Sequence, residues 1–272
     1  MDAIADYTGN LLRVAFMRAA GLAAREFDGG AHPRDAAVLA TLQAVGPLSQ
    51  QQLAKALDVN RTAMVKLIDA LEERGLVERV RNPDDRRAYL LLPTRAGVET
   101  LAEMLPRMAR AEAELTEQLT APEHERLNAL LRALIDQPPP ALADRTGFLI
   151  TRASHRYHGH VDAALAPLGI RRFATLARIG EGLSSQRELA DRLHVSTPVV
   201  VELVDELEAR GLLERRRDGA DRRLNALHVT PAGREVLQTG LETLTAAHED
   251  LARPIGEAGD RELRSLLRKL LG

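Results

Sequence analysis

The chain contains itself twice. Gly75-Leu76-Val77-Glu78-Arg79-Val80-Arg81 returns as Gly211-Leu212-Leu213-Glu214-Arg215-Arg216-Arg217. Asp85-Arg86-Arg87 returns as Asp221-Arg222-Arg223, and Thr94 with Gly97 returns as Thr230 with Gly233. Each pair is offset by 136 positions, half of the 272 residues. Between Leu53 and Gly97 the match needs no gap, and roughly half the positions are identical. Solenoid repeats have periods of about 20–50 residues, so this is a duplicated domain. The expected organisation is a first repeat at residues 1–136, a proline linker at 137–140 and a second repeat at 141–272.

Each half is long enough to bury its own core. With no Trp, four Phe and three Tyr, those cores must be aliphatic. No apolar run approaches the ~18 residues of a membrane span, and Met1 to Asp6 does not read as a signal peptide. The chain is expected to be cytoplasmic. Zero Cys excludes disulfides, thiolate metal sites and a cysteine nucleophile. Net charge is only −2, but its placement is uneven. Four Arg face two Asp between Arg79 and Arg87, and five face two between Arg215 and Arg223. Local basic patches on a neutral protein can bind phosphates.

In repeat one, a helix is expected from Tyr7 to Glu26 and a second from Asp35 to Val45. Ser49 and Gln52 form a capping box for a third. After the turn Asp58-Val59-Asn60, Met64, Leu67, Ile68 and Leu71 recur at i, i+3, i+4 and i+7, one buried stripe. Gly75 ends that helix. Two short helices around a tight turn make a helix-turn-helix. Residues 76–81 and 88–93 then read as the strands of a hairpin, a wing, around the turn Asn82-Pro83-Asp84-Asp85. Thr94 and Thr120 cap two further helices. Repeat two follows the same plan, with Ser185 and Glu188 as its capping box and Val200, Leu203, Val204 and Leu207 as its stripe. Gln137-Pro138-Pro139-Pro140 between them favours stiff extended geometry.

On these residues the chain resembles, twice over, the MarR (multiple antibiotic resistance regulator) family of winged-helix transcription factors. The matching stretches are Leu53–Gly97 and Leu189–Gly233, each with a recognition helix, an Arg-Gly-Leu strand start, an Asp-x-Arg wing and a Thr-x-x-Gly helix start. The expected fold is mainly α with small β-hairpin wings: two winged helix-turn-helix domains plus interlocking dimer-type helices, forming an intramolecular pseudo-dimer. The resemblance implies a homodimeric regulator whose first and last helices interlock, here joined in one chain. It also implies small, often aromatic effectors near the junction of the dimer helices and the winged helix. Double-stranded DNA is the expected partner, with no membrane and no cofactor.

The recognition helix of repeat one offers Asn60, Arg61, Thr62, Val65 and Lys66. Arg and Lys can pair with guanine O6/N7 and Asn with adenine; Arg61 and Lys66 could equally touch phosphate alone. The equivalent positions in repeat two are Ser196, Thr197, Pro198, Val201 and Glu202. Glu202 repels phosphate but can accept from cytosine N4. Repeat two has therefore either lost sharp base readout or gained a different one. Ser49 and Ser185 count among the DNA-binding candidates, as do Arg81, Arg86, Arg87, Arg217, Arg222 and Arg223 on the wings. By resemblance, Asp85 and Asp221 hold the wing arginines for entry into a narrow minor groove, whose potential attracts them.

His155, Tyr157, His158 and His160 cluster on the first helix of repeat two. His155 and His158 share a face and are candidates to line a ligand pocket. A metal would need further ligands from elsewhere, and none is expected. No nucleophile–base or paired-carboxylate arrangement stands out, so no catalytic residue is assigned. The leading expectation is a transcriptional regulator, as a ligand-released repressor. The alternatives are a small-molecule-sequestering or protein-binding relative with weak DNA binding.

Overall fold

A computed structural model describes residues 7–27, 32–83, 85, 88–135, 137–183, 185–193, 195–217 and 225–272. Repeat one runs α1 (Thr8–Glu26), α2 (Pro33–Val45), β1 (Leu48–Ser49), α3 (Gln50–Leu57), α4 (Arg61–Glu73), β2 (Val77–Arg81), β3 (Tyr89–Pro93), α5 (Arg95–Leu115) and α6 (Ala121–Ala133). A short 3-10 turn, Pro140–Leu142, leads into repeat two. There follow α7 (Thr146–Ala164), α8 (Ile170–Gly180), α9 (Gln186–Leu193), α10 (Thr197–Ala209), β4 (Leu213–Arg217), β5 (Asn225–Val229), α11 (Pro231–Ala252) and α12 (Gly256–Leu271). The chain is mainly helical, with a β-hairpin after the second helix of each helix-turn-helix, as expected.

Local chemistry accounts for most boundaries. Ser49 caps α3: its hydroxyl accepts from the Gln52 amide at 3.2 Å, and the Gln52 side chain accepts from the Ser49 amide at 2.8 Å. Gly75 and Gly211, at φ 67° and 68°, end the recognition helices in the left-handed region that glycine enters without penalty. Thr94 caps α5 through the Gly97 amide at 3.0 Å, and Thr230 caps α11 through the Gly233 amide at 3.0 Å. Space is what makes both glycines necessary. A Cβ on Gly97 would stand 2.1 Å from the Leu76 carbonyl oxygen, and one on Gly233 would stand 2.0 Å from that of Leu212.

Two compact units form, and they cut across the repeats. One comprises Met1–Arg156 with Ala252–Gly272; the other is Tyr157–Leu251. The first unit contains the winged helix of repeat one, the start of α7 and all of α12. Its core includes Leu39, Leu53, Met64, Ile68, Leu71, Val77, Leu91 and Leu101, with Leu67 partly buried beside them. Within this unit, α12 of repeat two packs on α1 and α6 of repeat one. Helices of both repeats therefore interlock here. The second unit holds the winged helix of repeat two around Phe173, Leu176, Leu189, Val200, Val204, Leu207, Leu213 and Leu227, all buried.

Three features differ from the sequence reading. Leu48-Ser49 pairs with Leu90 and Leu91, so the wing sheet of repeat one has three strands in the order β1-β3-β2. Leu142, just after the prolines, is 1% exposed and belongs to the core of repeat one, a contact the sequence pattern does not mark. The uniform offset also fails in the first helices. Thr8-Gly9 opens α1 as Thr146-Gly147 opens α7, two positions away from the register of the winged helices. Hydrogen bonds confirm the shift. Thr8 Oγ1 donates to Asp260 at 2.7 Å, and Thr146 Oγ1 lies 2.7 Å from Nε2 of His124, the residue that matches Asp260. The counterparts of His155 and His158 are thus Met17 and Ala20, two positions before the Ala19 and Leu22 that an offset of 136 would give.

Candidate nucleic-acid interface

Burial of one face of α4 dictates what the other face offers. Met64, Ile68 and Leu71 are fully buried. At 100° per residue this turns Arg61, Thr62, Val65 and Lys66 outward, and all four are exposed. Asn60 is exposed too, but its Oδ1 accepts from the Ala63 amide at 2.8 Å and so caps α4. Bidentate pairing with adenine needs both the oxygen and the nitrogen of the carboxamide. Only Nδ2 of Asn60 is left to face outward.

In repeat two, α10 begins after Ser196, and Ser196, Thr197, Pro198 and Glu202 are exposed. Val201 is half-buried where Val65 is 38% exposed, so it offers less apolar surface than the sequence register implies. Ser185 is exposed immediately before α9. Ser49 is half-buried, and its hydroxyl also donates to Gln52 Oε1 at 2.8 Å.

Each wing is tied to its recognition helix by an arginine that sequence reasoning counted only as positive charge. Nη2 of Arg79, on β2, lies 2.6 Å from Oδ1 of Asp69 on α4, and Nη1 bonds to Glu72. Arg215 on β4 forms the same fork with Asp205 and Glu208 on α10. The hydrogen bond that Arg215 donates to Asp205 leads in raising the Arg215 pKa further above its usual value. All three residues of the fork recur at the repeat offset, and that recurrence is the signal that could have found them. In each fork one guanidinium meets two carboxylates, so it offsets one of their two negative charges, and Arg79 and Arg215 are removed from the cations available to phosphate. Repeat two adds a second clamp: Arg172 on α8 bonds to Glu206, which raises the guanidinium pKa and lowers that of the carboxyl.

At the end of β2, Arg81 is exposed with its guanidinium carbon 5.6 Å from the ring centre of Tyr89, its partner across the hairpin. Arg217 ends β4 opposite Asn225 in the matching register. Asp85 is exposed, and its carbonyl accepts from the Ala88 amide at 2.9 Å to close the turn. Arg86, Arg87, Asp221, Arg222 and Arg223 lie outside the described residues, as does the side chain of Arg217.

The two candidate pocket histidines have separate partners. His155 packs against Phe16 with ring centres 5.3 Å apart and the ring planes tilted by 59°. Desolvation there lowers its pKa, opposed by Asp58 and reinforced by Arg34 and Arg152. His158 meets Tyr157 edge-on at 5.9 Å. Among the described residues, no group of three or more His, Cys, Asp and Glu could hold a metal. No helix among them is long and apolar enough to cross a membrane.

Two family models match, one in each half. Both are described as MarR family, at residues 33–89 and 168–224. A protein of Thauera aromatica, described as a transcriptional regulatory protein for the hcr operon, is 40% identical over 90 residues. That stretch is 33% of this chain and 54% of the relative, so the chain spans about half the length of that curated relative. A solved transcriptional regulator from Pseudomonas aeruginosa is 32% identical, with 48% of this chain covering 98% of it at a TM-score of 0.45. CouR from Rhodococcus jostii RHA1, solved with p-coumaroyl-CoA, is also 32% identical, with 47% of this chain covering 93% of it at a TM-score of 0.42.

Proposed function

The chain belongs to the MarR family of DNA-binding regulators, in two fused copies, and on that premise we propose that it acts alone as a pseudo-dimer on a two-half-site operator. The observation that carries this reading is the pair of recognition helices. Each of α4 and α10 turns an exposed polar face outward over a buried stripe, next to a hairpin wing. Dimeric helix-turn-helix proteins place two such helices in successive turns of the major groove. Further support comes from the interlocking of α12 with α1 and α6, which joins helices of both repeats inside one unit.

The two half-sites are read unequally in this proposal. Arg61 and Lys66 on α4 make charge-assisted contacts to bases or phosphates. Thr197 and Glu202 on α10 cannot replace them. Arg81, Arg86, Arg87, Arg217, Arg222 and Arg223 on the wings anchor the backbone, with Asp85 and Asp221 orienting them, and Ser49 and Ser185 add neutral donors. On the family resemblance, the chain represses until a small aromatic effector releases it, with His155 and His158 among the residues that differ between the two effector sites.

Selection of binders from random DNA, followed by sedimentation of the complex, tests this. The expected result is one chain per duplex and a site of two arms about one helical turn apart, with strict bases in one arm and tolerance in the other. Two chains per site with equal information in both arms defeats the pseudo-dimer and the asymmetry together. No enriched sequence at all favours a relative that sequesters small molecules.

A further inference from the structure

The end of any helix leaves carbonyls without intrahelical donors. Ala56 lies in the last turn of α3, and its carbonyl oxygen accepts a 2.7 Å hydrogen bond from Nη1 of Arg152. Arg152 stands on α7, in the other repeat, 96 residues along the chain. Its Nε lies 3.6 Å from Oδ2 of Asp58, the residue that ends α3 in the left-handed region at φ 53°. Its guanidinium carbon is 5.7 Å from the ring centre of Phe148. The Arg152 side chain is only 7% exposed.

A buried charge is tolerated only with partners. Here it has a carbonyl, a carboxylate, an aromatic face and the negative end of the α3 dipole. The planar fork of arginine serves several of these together, which the point charge of lysine cannot. What the fork grips is the connection between the two helices of the helix-turn-helix. Asp58, Val59 and Asn60 make up that turn, and the Val59 amide donates to Ala54 O at 2.9 Å. Arg152 fixes the end of α3, and the Asn60 cap fixes the start of α4.

We propose that Arg152 is a positioning residue for DNA reading, by which repeat two sets the angle of the recognition helix of repeat one. The proposal rests on the DNA-binding function proposed above. It is one-sided by sequence. In the register set by Thr8-Gly9 and Thr146-Gly147, the counterpart of Arg152 is Val14, which has no donor. The counterpart of Asp58 is His194. The clamp therefore serves α4, the helix that carries Arg61 and Lys66, and the matching sequence positions for α10, Val14 and His194, do not repeat its chemistry.

The test uses the full chain with Arg152→Ala, Arg152→Lys and Asp58→Asn; asparagine also tolerates the left-handed region. Without DNA, hydrogen exchange should quicken in Arg152→Ala over the α3–α4 turn and the first turn of α4, and stay unchanged in α10. On the selected operator, affinity for the half-site weakened by Lys66→Ala should fall about tenfold, the scale of one base contact. The other half-site should keep its footprint. Arg152→Lys should fall between, and Asp58→Asn should reproduce the direction. If Arg152→Ala does not fold, the other two variants carry the same comparison. Unchanged exchange in the turn overturns the proposal, as does quickened exchange throughout the first unit or equal loss at both half-sites. Should the unaltered chain bind no DNA, the operator reading fails by itself, and exchange in the turn still decides the role of Arg152.

Discussion

Arg126 and Glu262 are the same position of the two repeats, and they are bonded to each other. Nη2 of Arg126 lies 2.7 Å and Nε 3.0 Å from Oε2 of Glu262, across a separation of 136 residues. In a two-fold dimer, a residue on the axis meets its own copy. An arginine there would meet an arginine. The fused chain has placed unlike charges at a position where a homodimer must place like ones. Each lowers the energy of the other: the hydrogen bond raises the Arg126 pKa and lowers that of Glu262.

Glu262→Arg and Arg126→Glu should each lower the urea midpoint by setting like charges face to face, and the exchanged pair should recover it. The effect should shrink in high salt, because both side chains are exposed. Equal midpoints for all four proteins would remove any role for the pair.

On DNA, Glu202→Lys should raise affinity and steepen the dependence of log K on log salt by about 0.9, the increment of one added phosphate contact. Anisotropy titrations from low to moderate salt measure both. An unchanged slope would place residue 202 away from the backbone.

Arg79→Ala should weaken DNA binding although Arg79 is not itself counted among the contacts. Its loss leaves Asp69 and Glu72 uncompensated on the recognition helix. Adding Asp69→Asn and Glu72→Gln to Arg79→Ala should restore much of the affinity. Failure to recover would mean that Arg79 touches DNA directly. Arg215→Ala should repeat the pattern through Asp205 and Glu208.

Gly97→Ala and Gly233→Ala should each destabilise by about 1–3 kcal/mol, since the added methyl group overlaps a backbone carbonyl that cannot give way. Gly21→Ala, inside α1 with nothing within 4 Å of the new Cβ, is the control. It should stabilise by roughly 0.5–1 kcal/mol. Denaturant unfolding reads all three.

Stability should fall on acidification through the window below pH ~6.5, and His155 should account for part of that fall. Its pKa is lowered in the folded chain, mainly by desolvation. The unfolded chain therefore takes up the proton first, and the contribution present above the unfolded pKa is lost as pH drops toward the folded one. Thermal melts of His155→Gln from pH 8 to pH 5 should show a shallower decline than the parent.

Features encoded within a few residues were legible in the sequence. The apolar spacing of Met64, Ile68 and Leu71, the cap at Ser49 with Gln52 and the stops at Gly75 and Gly211 depend on near neighbours, and they stand where the pattern puts them. Features set by distant partners were not. Leu48-Ser49 is too short to alternate, and only its pairing with Leu90 and Leu91 makes it a strand. Nothing beside Leu142 announces that it fills the core of repeat one, and nothing beside Arg152 announces Ala56. At the interface, outward-facing positions on α4 followed from periodicity. The sequence pattern could not tell that Asn60 Oδ1 is committed to Ala63, or that Arg79 is held by the helix beside it.

The return of α12 to α1 has a kinetic consequence. Helix α1 packs on both α5 and α12, and its bond from Thr8 to Asp260 spans 252 residues, so this second half of its packing waits until α12 is in place. Closing so long a loop costs chain entropy before any contact repays it. The second unit, Tyr157–Leu251, is continuous and has no such wait. Refolding should therefore be ordered by topology rather than by position in the chain, with the continuous second unit complete first and the contact between α1 and α12 among the last to form.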